Sequence, residues 1–117
     1  RGELSFIEKG TWPFEIARIY YMHDIPKDTY RGGHAHKNLH QIIIAIAGEF
    51  TIQLDDGAEN KSFTLSKPNV GLYVCPMIWR DLSFFSKNTV CLVLASEVYD
   101  ENDYIRNYEN FLTEKLT

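Results

Sequence analysis

Apolar and polar residues along this chain alternate in short runs with a period of two, separated by turn formers. Phe14 to Asp24, rich in Ile and Tyr, predicts a strand, and Ile25-Pro26-Lys27-Asp28 a loop. A strand carrying His34 and His36 follows, then an unbroken apolar run from Ile42 to Ala47 that predicts a buried strand. Gly48 allows a bend, after which Phe50, Ile52 and Leu54 alternate with Thr51, Gln53 and Asp55. Asp56-Gly57 is a hairpin signal, and Lys61 to Leu65 returns with Phe63 and Leu65 on one side. Pro68-Asn69 breaks the chain, Gly71 to Cys75 resumes it, and Pro76 ends that strand. Thr89 to Ser96 predicts a further strand, apolar on both faces.

Only the tail changes period. Tyr104, Ile105, Tyr108, Phe111 and Leu112 form one stripe of a helix, with Asp100 or Asn102 as its cap. About seven short strands and one C-terminal helix predict an all-β fold, a small β-barrel or two-sheet roll whose mouth is lined by inward polar side chains.

A chain of 117 residues fits one domain over 1–117, and its start at Arg1 instead of Met leaves room for it to be a module of a longer, bifunctional protein. The net charge of 12 − 16 = −4 argues against a nucleic-acid surface, which shows as a basic stripe. It leaves room for a local cationic pocket around a phosphorylated ligand. No apolar run approaches the ~18 residues of a membrane helix, and no signal-peptide pattern opens the chain. Cys75 and Cys91 both lie in apolar runs, which predicts two buried thiols of a cytoplasmic protein in preference to a disulfide.

The candidate chemistry sits in Arg31-Gly32-Gly33-His34-Ala35-His36-Lys37. Side chains two apart on a strand share a face, so both imidazoles are expected to look into one space, near Gln41. His40 falls on the opposite face from Gln41 and reads as a surface or interface residue. Two histidines aimed into a pocket can hold a metal or move protons near neutral pH.

The layout resembles the cupin superfamily: Gly33, His34, His36 and Gly48 fit its first motif, and Gly71 with Pro76 the second. Two departures weaken a metal site. Gln41 stands where that motif has a carboxylate, and a neutral amide is a poor ligand for a hard cation. Trp79-Arg80-Asp81 replaces the last His, and an inward Arg80 would repel a cation. Asp81 and His23 are the ligands that could complete a site with the pair. The proton-transfer reading is preferred.

Longer stretches resemble the sugar 3,4-ketoisomerase family. They are Arg18-Ile19-Tyr20-Tyr21, the glycine–histidine segment with Gln41, Gly71-Leu72-Tyr73-Val74, Pro76 with Trp79-Arg80-Asp81-Leu82, Val90 to Ser96, and Tyr99 to Arg106. The likeness runs from about Arg18 to Leu112, and His23 departs from it where an aromatic is usual. The resemblance implies a metal-independent cupin enzyme without cofactor that converts a dTDP-4-keto-6-deoxy sugar to its 3-keto isomer, ahead of 3-amino-3,6-dideoxy sugars. It also implies a homodimer with exchanged N-terminal strands.

One imidazole between adjacent carbons can take the C3 proton and return it to C4. His36 is the expected base, with His34 second. His34 or Tyr21 would shuttle the hydroxyl proton, Gln41 would orient an imidazole, and His23 is expected among the substrate-binding residues, where it would alter the proton relay or the sugar stereochemistry. Arg18, Arg31 and Arg80 are the candidates for the diphosphate, and Trp79, Tyr73 or Tyr21 for stacking on thymine. A metal-dependent cupin and a non-catalytic nucleotide-sugar binding cupin are the alternatives. Spacing leaves the C4 configuration of the product open.

Overall fold

The computed structural model describes residues 2–117 and forms two antiparallel sheets packed face to face. One sheet has the order β1-β8-β3-β6, formed by β1 (Arg18–Met22), β8 (Val90–Ala95), β3 (Gln41–Ala47) and β6 (Gly71–Val74). The other has the order β5-β4-β7-β2-β9, formed by β5 (Asn60–Leu65), β4 (Phe50–Asp55), β7 (Trp79–Ser83), β2 (Arg31–His36) and β9 (Tyr104–Ile105). Helix α1 (Tyr108–Lys115) lies on the outside of the second sheet.

Period-two alternation sorts the strands into layers. Ile43, Phe50, Ile52, Leu82 and Val93 meet between the sheets and are buried. Ala35, Trp79 and Ile105 face outward and are covered by Phe111 of α1. Ile42, Ile44 and Leu94 face out from the first sheet and are covered by Trp12, Phe14 and Ile16 of the N-terminal arm. That arm explains why β3 is apolar on both faces.

Two elements differ from the sequence expectation. Trp79 to Ser83 is a strand, although its pattern hides this: Arg80 points inward and Asp81 outward, so both faces read as charged. The tail stripe also divides. Tyr104 and Ile105 pair with His36 and Ala35 as β9, and the helix begins only at Tyr108, capped by Asn107. Asp100 instead caps a 3₁₀ turn over Glu101–Asp103.

Cys91 is buried and burial pushes its thiol up to about 12, whereas Cys75 is exposed, contrary to the expectation of two buried thiols. It lies just past an edge strand, where one face has no neighbour. Both thiols are free. Among the described residues no helix is long and apolar enough to cross a membrane.

Candidate active site

The glycine pair builds the site. Gly32 and Gly33 have φ of 102° and 69°, and the β2–β7 register shifts between Gly32 and His34. A Cβ on Gly32 would stand 2.7 Å from the Arg80 carbonyl oxygen, so only glycine fits. This bulge brings Arg31 and His34, three apart in sequence, to the wall of one cavity. The cavity measures about 320 Å³ and its lining includes Arg31, Arg80 and Arg106 but no Asp or Glu. Such a lining favours an anionic ligand.

Arg80 is only 2 % exposed, and its guanidinium donates to Gln41 Oε1 and to the Ile78 carbonyl at 3.2 Å. Burial lowers its pKa to about 10, so it stays charged at neutral pH. An arginine can only donate, which fixes the Gln41 amide with its oxygen toward Arg80 and its NH₂ toward Tyr20. Gln41 Nε2 then donates to Tyr20 Oη at 3.0 Å. With its oxygen accepting, the Tyr20 phenol is free to turn its own proton into the cavity. Desolvation, with Tyr104 second, raises the Tyr20 pKa, so the phenol remains a donor.

His34, His36 and Tyr104 form a triangle of rings with centroids 4.9, 4.9 and 4.3 Å apart. His34 and Tyr104 line the cavity, and His36, 1 % exposed, stands directly behind them. Desolvation, reinforced by Arg80, lowers the His34 pKa to about 4 and that of His36 to about 2. Both rings are therefore neutral at physiological pH. His36 Nδ1 lies 3.2 Å from Asp103 Oδ2, and among the described residues neither His36 Nε2 nor His34 Nδ1 has a hydrogen-bond partner.

The structure redistributes several expected roles. Tyr21 is 63 % exposed on the outer face, because Arg18, Tyr20 and Met22 share the inner parity of β1 and Tyr21 does not. His23 is exposed and held by Asp24 at 2.6 Å, away from the cavity. Trp79 is 9 % exposed and packs on Tyr108 and Phe111 beneath α1, on the face opposite Arg80, so it is not available to stack on a base. Arg80 lines the cavity as a buried cation held by Gln41 and the Ile78 carbonyl. Gln41 orients a phenol, not an imidazole.

Arg31 sits exposed at the cavity wall, and among the described residues its guanidinium has no ion pair. Arg18 lies beside the wall with its guanidinium 4.9 Å from the Tyr20 ring. Tyr73 donates to, or accepts from, His40 at 2.6 Å outside the cavity. Tyr20, Tyr104, Arg106 and Asp103 join the site without having been singled out by the pattern. Strand parity with Arg18 was the one signal that could have found Tyr20.

Larger hollows of 690 and 490 Å³ lie along the N-terminal arm, but they are lined mainly by apolar side chains and hold no imidazole. Among the described residues no three His, Cys, Asp or Glu side chains gather around a point that could hold a metal ion. Asp81, the alternative ligand, is hydrogen-bonded by Tyr30.

Two facing sheets with an inward histidine pair, an arginine-lined cavity and a single C-terminal helix define a cupin-type jelly roll with a polar pocket. The FdtA family (WxcM-like, C-terminal) matches residues 1–116, and the chain belongs to that family. It is 46 % identical over 112 residues to the TDP-4-oxo-6-deoxy-alpha-D-glucose-3,4-oxoisomerase of Aneurinibacillus thermoaerophilus, covering 95 % of this chain and 81 % of the relative. The 3,4-ketoisomerase QdtA of Thermoanaerobacterium thermosaccharolyticum, solved with TDP, superposes with a TM-score of 0.95 at 46 % identity, covering 98 % of this chain and 85 % of that one. A histidine-to-asparagine variant of QdtA was solved with TDP-4-keto-6-deoxyglucose. WlaRA of Campylobacter jejuni, a TDP-fucose-3,4-ketoisomerase, superposes with a TM-score of 0.86 at 42 % identity, covering 88 % and 76 %.

Proposed function

We propose that this chain isomerises a TDP-linked 4-keto-6-deoxyhexose to its 3-keto form, with the histidine pair carrying the protons. The observation that carries this reading is a neutral, desolvated imidazole, His34, in a cavity whose described lining has three arginines and no carboxylate, with a second, His36, packed behind it. A neutral imidazole can accept a proton, and cationic walls favour the enediolate that forms when it does.

The steps balance without a redox cofactor. A base removes the hydrogen on C3 as the C4 oxygen gains a proton, giving an enediol. The C3 hydroxyl then loses its proton as the C3 carbonyl forms, and the base returns its proton to C4. C3 is oxidised and C4 reduced by the same electron pair.

His36 is the proposed base, because its Nδ1 faces a carboxylate and its Nε2 is bare. The ring is screened by His34 and Tyr104, so the sugar reaches Nε2 only as those rings turn aside. Tyr20 takes the part expected of Tyr21, donating to the developing oxyanion beside His34. Arg31 is the proposed diphosphate ligand, with Arg18 beside the same cavity.

Product NMR in D₂O with TDP-4-keto-6-deoxyglucose tests the reaction directly. His36→Asn should lower turnover by about three decades. If His36→Asn turned over normally while His34→Asn did not, the base would be His34. A dead wild-type enzyme with this substrate would end the reading.

The reading includes a homodimer with exchanged N-terminal strands. Its support is the arm at residues 2–17, which leaves Leu4 and Phe6 largely exposed. A monomer by light scattering would refute it. It also places the protein in the cytoplasm, where an exposed Cys75 stays reduced, and assigns its product to 3-amino-3,6-dideoxy sugar synthesis.

A further inference from the structure

Asp103 ends the 3₁₀ turn before β9 and is buried. Among the described residues every polar contact of its carboxylate is with a nitrogen. Oδ1 accepts the Asn38 N–H at 2.8 Å, while Oδ2 accepts the Leu39 N–H at 3.3 Å and faces His36 Nδ1 at 3.2 Å. Its own carbonyl accepts the Lys37 N–H at 2.9 Å, so the turn is clamped to the bend between β2 and β3. The His36 carbonyl accepts the Met77 N–H at 2.7 Å, which fixes the other side of the residue.

An ionised carboxylate can only accept. Facing His36 Nδ1, it favours the tautomer that carries hydrogen there and leaves the Nε2 lone pair bare. That nitrogen is buried, with no partner among the described residues.

We infer that Asp103 is a positioning residue for the reaction: it holds His36 in the Nδ1–H tautomer, orients the ring, and stabilises the imidazolium formed in mid-reaction. The inference rests on the reading of His36 as the base. The carboxylate does not touch substrate and takes no proton.

Asp103→Asn is the informative change. Both the Asn38 and the Leu39 N–H can only donate, and the shorter contact, Asn38 at 2.8 Å, retains the amide oxygen while the Leu39 contact at 3.3 Å is given up. The amide NH₂ is then turned toward His36 Nδ1 and donates to it. The imidazole responds by moving its hydrogen to Nε2, and the lone pair needed for catalysis is gone. A carboxylate-to-amide exchange of this kind in a histidine dyad costs up to about 10⁴-fold in rate with little change in geometry.

The experiment combines kinetics with ¹H–¹⁵N NMR of the imidazole nitrogens. The wild-type protein should show His36 protonated at Nδ1 and Asp103→Asn should show it protonated at Nε2. The kcat of Asp103→Asn should fall by about 10²–10⁴-fold, with KM nearly unchanged and the melting temperature lowered only as far as the lost Leu39 contact requires, the protein staying folded at the assay temperature. A wild-type ring protonated at Nε2 overturns the inference without any variant being needed. So does Asp103→Asn with wild-type kcat, or a loss of rate that only tracks loss of folded protein while the tautomer stays put. His36→Asn separates the two readings. If that variant is fully active, the base assignment fails, whatever the tautomer shows. If it is inactive while Asp103→Asn is not, only the role of Asp103 falls.

Discussion

Replacing Gln41 by Leu probes the buried Arg80–Gln41–Tyr20 chain from its middle. Gln41 is buried, and it is the acceptor that meets Arg80 inside the cavity wall. A hydrogen bond to a charged group contributes ~1.5–3 kcal/mol, and a buried charge left short of an acceptor costs more than a neutral group. Arg80 keeps the Ile78 carbonyl, so the loss should be about 3 kcal/mol. For a domain of 117 residues the unfolding entropy makes 1 kcal/mol worth about 4 °C, which predicts a fall in Tm of about 12 °C.

The companion change, Arg80→Met, leaves the Gln41 oxygen buried and unpaired and should cost ~1–3 kcal/mol alone. Together the two changes remove both members, so the double variant should return to within about 1 kcal/mol of wild type. Urea denaturation with constant m-value reads all four species. Turnover should behave differently: it should stay low in both variants that lack Gln41, because Tyr20 loses the donor that orients it. A double variant whose destabilisation equals the sum of the singles would refute the argument that Arg80 is held by its acceptor.

Three further outcomes follow from the geometry. Tyr20→Phe should lower kcat by about 10²-fold while Tyr21→Phe leaves it near wild type; the reverse result would move the phenol back to the outer face. Arg31→Ala should weaken TDP binding by about tenfold or more in calorimetry, whereas unchanged affinity would remove Arg31 from the diphosphate site. The third outcome concerns pH. The His34 pKa falls from 6.5 unfolded to about 4 folded, so between those values the unfolded chain binds the extra proton. Stability is then complete above pH 6.5 and is lost as pH drops toward 4, by about 3 kcal/mol. His36, lowered further, adds its own share over the same range, so denaturation at pH 7.5 and 5 should show a slope that His34→Asn roughly halves; a slope unchanged by that substitution would refute it.

The local rules of the chain determined much of this protein. Alternation placed Phe50 and Ile52 in the core, the double glycine marked the bulge, and His34 and His36 were bound to share a face of one strand. Tyr20 was within reach of the same parity rule, since it is two residues from Arg18. The resemblance of the motifs supplied the reaction class.

What the chain could not show by itself were the partners that arrive from elsewhere. Arg80 reads as a candidate for the diphosphate, and only the closure of the two sheets brings Gln41, 39 residues earlier, against it. Trp79 reads as a stacking platform until α1 covers it. Asp103 lies 67 residues from the His36 ring that it faces. Side-chain direction along a strand depends on neighbouring dihedrals and is local. Which charge meets which acceptor depends on how two sheets close on each other, and no local period encodes that.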